Sequence, residues 1–153
     1  MDIGSNPGGW SQVSSKIITD GKIFSLDLKK MENLKNVNFL QCDFLEKGTK
    51  EKILEFFGEK LDVVISDMAA DTTGNKSLDC IRTNQLCIEV IKFSSKILKP
   101  SGILVSKLFM GEDFLEVKDF VKSKFKKVQF FKPEASRNES KETYLHCGTL
   151  KTL

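Results

Sequence analysis

Residues 1–10, Met1-Asp2-Ile3-Gly4-Ser5-Asn6-Pro7-Gly8-Gly9-Trp10 (MDIGSNPGGW), decide how the rest of the chain is read. A glycine-rich turn of this kind follows a buried strand and opens a helix, the repeating step of a doubly wound α/β sheet. Glycines at 4, 8 and 9 let the backbone approach a ligand closely. The spacing is not G-x-G-x-x-G, and a dinucleotide needs a helix N-terminus close against its pyrophosphate. Pro7 stiffens the turn, and Asp2 adds negative charge where phosphate would be repelled. A ligand without phosphate, carrying ammonium or sulfonium charge, suits this environment better.

Outward from the loop, short apolar strands alternate with amphipathic helices. Trp10 to Ile18 reads as helix, Lys22 to Asp27 (KIFSLD) as strand, and Asn36 to Phe44 (NVNFLQCDF) as strand. A helix follows from about Thr49 to Phe57, then the strand Leu61 to Met68 (LDVVISDM). Runs such as VVIS, apolar on both faces, predict a parallel strand covered by helices on both sides. Thr72 to Ser77 is a loop by composition. The long helix after it carries Cys87, Val90, Ile91, Ser94, Ile97 and Leu98 at helical spacing and stops at Lys99-Pro100-Ser101-Gly102. Ile103 to Leu108 is the next strand. Asp113 with Glu116 predicts a capping box for a helix presenting Phe114, Val117, Val121 and Phe125 on one face. Lys127 to Phe131 and Thr143 to Thr149 close the chain as strands. The loop Lys132 to Glu142 joins them without a helix, so they are expected to pair antiparallel, whereas the earlier alternation implies parallel strands with right-handed crossovers.

Length and composition bound this reading. A chain of 153 residues holds one domain with a proper core. No apolar run approaches the roughly 20 residues needed to span a bilayer, and no signal-peptide pattern opens the chain, so a cytoplasmic, reducing compartment is expected. Cys42, Cys80, Cys87 and Cys147 contain no C-x-x-C, and His146 is the sole histidine, so the thiols are expected to be buried and reduced, with no metal site. Net charge is only +3, but Lys118, Lys122, Lys124, Lys126, Lys127, Lys132, Arg137 and Lys141 concentrate in the C-terminal third. On charge alone they read as a solvated surface, although such a concentration could meet a polyanion.

Ligands of a doubly wound sheet sit at the C-terminal ends of its strands. Acids occur there repeatedly: Asp27 ends the second strand, Asp43 the third and Asp67 the fourth, while the fifth carries Lys107. Asp27 is placed to accept two ribose hydroxyls, and Asp43 an adenine amino group with Phe44 against the ring. Any one of these acids could be a cap or turn residue, but the set at successive strand ends fits S-adenosylmethionine. A lysine inside the apolar run ILVSKLF is costly without a partner, which favours a functional role for Lys107. Glu142, in a charged run, reads by itself as a solvated carboxylate.

The stretches DIGSNPGGWSQ, SLD, CDF, VVISDMA, LVSKLFMGE and KPEASRNESKETYL together closely resemble the FtsJ family of RNA ribose 2′-O-methyltransferases, over essentially the whole chain. The resemblance implies a Rossmann-like methyltransferase with a mostly parallel seven-stranded sheet, its last strand antiparallel, and helices on both faces. It implies S-adenosyl-L-methionine as cofactor, with contacts falling on Gly8, Trp10, Asp27, Asp43 and Asp67. The family's catalytic tetrad is lysine–aspartate–lysine–glutamate, and its last three members match Asp67, Lys107 and Glu142. Ala70 stands where the family usually has proline, and only a local change in that loop is expected. The family usually carries an N-terminal helical segment supplying the first tetrad lysine, so residues 1–153 are read as a single methyltransferase domain lacking that segment.

The reaction implied is an in-line displacement at the sulfonium methyl. A 2′-hydroxyl is a poor nucleophile near neutral pH, so a base within hydrogen-bond reach matters. Lys107 is expected to take the proton or orient the hydroxyl lone pair, with Asp67 positioning Lys107 and the cofactor's aminoacyl end. Glu142 would hold the lysine or the ribose. The substrate implied is ribosomal RNA, a uridine ribose within the large ribosomal subunit, met by a monomer and with no membrane involved. Cap or transfer-RNA ribose methylation would use the same residues. Two other classes remain in view: a nicotinamide-dependent enzyme sharing the fold, and an RNA- and cofactor-binding protein impaired in catalysis because the first tetrad lysine is absent.

Overall fold

Leu61–Ser66, the most apolar of the strand-like runs, lies in the middle of a seven-stranded sheet. The computed structural model describes residues 1–134 and 140–151. Among the described residues the elements are β1 (Asp2–Ile3), α1 (Gly9–Ile17), β2 (Ile23–Asp27), β3 (Val37–Gln41), α2 (Thr49–Phe57), β4 (Leu61–Ser66), α3 (Lys76–Ile97), β5 (Leu98–Phe109), α4 (Phe114–Lys124), β6 (Phe125–Phe131) and β7 (Glu142–Leu150). The strand order is β3-β2-β1-β4-β5-β7-β6. Neighbours from β3 to β5 pair parallel, and β7 runs antiparallel to both β5 and β6. The expected topology is therefore the observed one. Alternation of apolar and charged runs drives it, because each crossover helix must bury one face against the sheet.

The two faces are covered unequally. Phe24 of β2 meets Phe56 and Phe57 of α2, while Ser106 of β5 donates to Cys87 Sγ of α3 at 3.5 Å. That face holds Val64, Leu104, Leu108, Leu145 and Cys147, each fully buried. Ser25, one residue from Phe24, points the other way and meets Ser11 of α1. On this second face α1 covers β1 and β2, but Val63 and Ile103 remain 41% and 36% exposed. The expectation that helices cover both sides of VVIS thus fails at Val63.

Three local expectations also change. Lys99-Pro100-Ser101-Gly102 does stop the helix, as α3 ends at Ile97, but these residues lie within β5 rather than in a turn. Leu98 pairs with Leu61, pairing resumes at Val63 with Ile103, and the register shifts between them. An extra stretch on one strand is accommodated in this way as an irregular bulge. Asp113 does precede α4, yet its side chain makes no capping bond. Its Oδ1 instead accepts from Asn84 Nδ2 at 2.8 Å, so the expected capping box is absent. Phe125, placed by periodicity on the helix, begins β6 and is buried there. Three of the four thiols are buried as expected, and Cys42 is half-buried. No helix among the described residues is long and apolar enough to cross a membrane.

Asn84 is fully buried on α3 and holds the end of β5 in place. Its Nδ2 donates to the Phe109 carbonyl at 3.0 Å, and its Oδ1 accepts the Phe109 N–H at 2.8 Å. Truncation would strand both backbone groups and one carboxylate oxygen without partners. Asn84→Ala is expected to cost about 2–4 kcal/mol, read as a fall of several degrees in Tm. An unchanged Tm would show that these bonds do not anchor the strand.

Candidate active site

The opening turn is shaped by contact rather than by flexibility. Gly4 sits at φ 76°, and a Cβ there would come within 2.6 Å of Met68 Cγ. Gly8, at φ 115°, occupies the N-cap position of α1, where a Cβ would meet Met31 Sδ at 2.9 Å. Side chains other than glycine rarely adopt this left-handed backbone. Asp2 is 1% exposed beneath α1, with Ser11 Oγ donating to its Oδ2 at 2.5 Å and Ser11 and Ser25 hydroxyls 2.7 Å apart. Its Oδ1 has no partner among the described residues. Burial pushes the Asp2 carboxyl up to about 6, against the opposing effect of the Ser11 hydrogen bond.

Beyond the turn, a cleft of about 970 Å³ opens at the C-terminal ends of the parallel strands. This is within the size range of small-molecule sites, about 300–1,000 Å³. Asp27, Asp43, Asp67 and Lys107 all line it, so four of the expected residues meet in one place. Asp27 is fixed by two backbone donors, Asn6 N–H to Oδ2 at 2.9 Å and Lys29 N–H to Oδ1 at 2.8 Å. A carboxylate has about four acceptor sites, so two remain for ligand hydroxyls. Asp43 accepts from the Leu45 N–H at 2.8 Å, a turn that presents the acid at the rim. Phe44 packs edge-on to Phe93 with its side chain in the core. Leu26, Leu28, Met68, Leu86 and Ile88 supply apolar wall. The donor set and size suit an adenosyl group with a charged aminoacyl end. The Ala70 N–H, which a proline would lack, donates to Thr83 Oγ1 at 3.2 Å.

A smaller cavity of about 110 Å³ adjoins the turn, lined by Asp2, Gly4, Ser5, Asn6, Pro7, Gly9, Trp10 and Asp67. Trp10 and Asp67 therefore share a wall, whereas Gly8 lines neither cavity and lies behind the turn.

Lys107 is 12% exposed, and its Nζ lies 2.9 Å from Asp67 Oδ1 and 3.2 Å from Glu142 Oε2. The three residues assigned by resemblance are thus in direct contact. Tyr144, which sequence reasoning passed over, completes the cluster. Its hydroxyl donates to Asp67 Oδ1 at 2.7 Å, and Glu142 Oε1 lies 3.3 Å from the tyrosine hydroxyl oxygen. Desolvation first, and then the Asp67 and Glu142 carboxylates, hold this phenol well above the usual tyrosine range, so it acts as a donor and not as a base. Tyr144 is the sole tyrosine and stands two residues from Glu142, on the same face of the strand. That spacing was the available signal. Arg137 and the middle of the stretch KPEASRNESKETYL lie outside the described residues.

A model of the FtsJ-like methyltransferase family matches residues 1–150. A ribosomal RNA large subunit methyltransferase E of Pelagibacter ubique is 43% identical over 151 residues, covering 99% of this chain and 74% of that protein. The protein of the same name from Rickettsia akari is 47% identical and is matched over 95% of this chain and 66% of its own length. The chain therefore spans about two-thirds to three-quarters of the length of these relatives. A crystal structure described as a ribosomal RNA methyltransferase of Plasmodium falciparum superposes with a TM-score of 0.86 at 27% identity, over 97% of this chain and 84% of that one.

The raised Asp2 carboxyl carries a stability consequence. The folded protein binds its proton more tightly than the unfolded chain, so stability falls as pH rises from about 4 through about 6. The difference between wild type and Asp2→Asn isolates the acid. The variant is expected to gain stability relative to wild type on the order of 2–3 kcal/mol between pH 4 and 7. Parallel melting curves across that range would contradict the assignment.

Proposed function

This chain belongs to the FtsJ-like methyltransferase family, and from that premise we propose that it methylates the ribose 2′-hydroxyl of ribosomal RNA. The observation that carries the proposal is the Lys107 ammonium held between Asp67 and Glu142 at the rim of the cleft. S-adenosylmethionine supplies the methyl group, as a sulfonium electrophile. Asp27 would hold its ribose hydroxyls, Asp43 its adenine amino group and Asp67 its ammonium, while Trp10 and the glycine turn wall the site. Residues 1–153 are assigned to a single methyltransferase domain, acting as a monomer in the cytoplasm on a uridine of the large subunit. The names of the relatives support the RNA class.

Each member of the cluster then has a distinct task. Lys107 faces the incoming hydroxyl. In its charged form it donates to the 2′-oxygen and turns a lone pair toward the methyl, the hydroxyl proton then passing to solvent. In its neutral form it takes the hydroxyl proton directly. Asp67 and Glu142 fix the amine in place, and Tyr144 fixes Asp67 through its single O–H, so the reacting atoms can be held within about 3–3.5 Å. Such positioning, together with proton transfer worth about 10²–10⁴-fold, is what the cluster can offer. Exposed lysines at 122, 126, 127 and 141 would meet phosphates, making binding salt-dependent.

Transfer of a tritiated methyl group to undermodified large ribosomal subunits tests the proposal. Wild type is expected to transfer label. Lys107→Ala should lose about 10²–10⁴-fold in rate with cofactor affinity nearly unchanged, and Lys107→Arg separates the two forms, restoring rate only if donation suffices, since guanidinium cannot accept the proton. Full activity in the alanine variant would remove Lys107 from the mechanism. A wild-type chain that binds cofactor and transfers nothing would overturn the proposed reaction.

A further inference from the structure

Phe131 ends β6, the edge strand of the sheet, and keeps 45% of its surface exposed. Its ring stacks on Tyr144, with centroids 5.8 Å apart and planes at 23°. Tyr144 also touches Trp10, at 5.4 Å between centroids, and Lys107 Nζ lies 5.9 Å from the Tyr144 ring. A continuous aromatic row thus runs from the wall of the smaller cavity, past the Lys107 ammonium, to open solvent.

The neighbouring phenylalanine shows what a structural aromatic does on this strand. Phe130 points to the opposite face and packs edge-on against Phe114 of α4, with centroids 5.1 Å apart. Phe131 has Tyr144 on one side and leaves the rest of its ring to water. Gln129 and Lys127 share its face of β6 and are exposed, and the exposed Lys132 follows it directly in the chain. An isolated ring face set among cations is the chemistry of single-stranded nucleic acid sites, where bases stack on aromatics and lysines track the backbone.

We infer that Phe131 is a stacking platform for an unpaired base of the RNA substrate, beside the nucleotide whose ribose faces Lys107. The inference rests on the RNA-substrate reading and adds a binding residue to it. The tilt and contact with Tyr144 fix the ring before RNA arrives, so little side-chain freedom is lost on stacking. Tyr144 then couples the platform to the Asp67 carboxylate through its hydroxyl.

The test compares binding of a short single-stranded uridine RNA, and of the same RNA carrying abasic sites, to the full chain by fluorescence anisotropy. Phe131→Ala is expected to weaken the uridine RNA roughly 5- to 100-fold, and Phe131→Tyr to stay within about twofold of wild type. The abasic RNA should bind wild type as weakly as the uridine RNA binds Phe131→Ala, with no further loss when both changes are combined. Phe131→Leu, which keeps apolar contact with Tyr144 but loses the ring, should match the alanine variant and covers the case in which that variant fails to fold. Equal binding of the uridine RNA by wild type and both truncated variants would overturn the platform, as would absence of RNA binding by wild type. Methyl transfer is read separately. Transfer without a stacking contrast overturns the platform alone, whereas a stacking contrast without transfer overturns the proposed reaction and leaves the platform standing.

Discussion

A nearly buried ammonium between two carboxylates is the constraint on which the rest of this site depends. Lys107 lies inside the run ILVSKLF, and a charge there is costly unless it is paired. Its partners come from two other strands: Asp67 follows β4, and Glu142 begins β7. Strand order places β4 and β7 on either side of β5. The antiparallel direction of β7 matters equally. Because it runs against its neighbours, its first residues lie beside the C-terminal end of β5, with Glu142 opposite Phe109 and Tyr144 opposite Lys107. A parallel β7 would send Glu142 to the far edge of the sheet. The one reversal in the topology is therefore what assembles the cluster.

The cleft beside it is organised by backbone rather than by charge pairing. Asp27 and Asp43 are oriented by N–H groups of the turns that follow their strands. Acids held this way are set before a ligand arrives, which lowers the ordering cost of binding. Asp2 is the exception. It is the acid nearest the glycine turn in sequence, but it turns inward to Ser11 beneath α1, where burial weakens its charge.

Much of this was legible from the chain because local pattern and tertiary position agree in a doubly wound sheet. Acids at the ends of apolar runs became acids at one rim, and the helix-free link before Thr143 marked the antiparallel pair. What was not legible came from contacts between distant segments. Asp113 has the spacing of a helix cap, but Asn84, on another helix, captures its carboxylate. Val63 is as apolar as Val64, but only Val64 lies under the helices that close its face. Tyr144 reads as a strand residue, and its role follows only from the pairing that sets it opposite Lys107. Phe131 reads as one more apolar residue, but it lies on the face of β6 opposite Phe130 and keeps its ring half-exposed.

The central claim is that this rim directs a methyl group to a ribose oxygen and not to a base. A 2′-hydroxyl is the internal nucleophile by which alkali cleaves RNA, and methylation removes it. Labelled RNA product is therefore best hydrolysed in alkali and separated by size. The account predicts label in alkali-resistant dinucleotides. Label recovered in mononucleotides, as methylated bases, would contradict it.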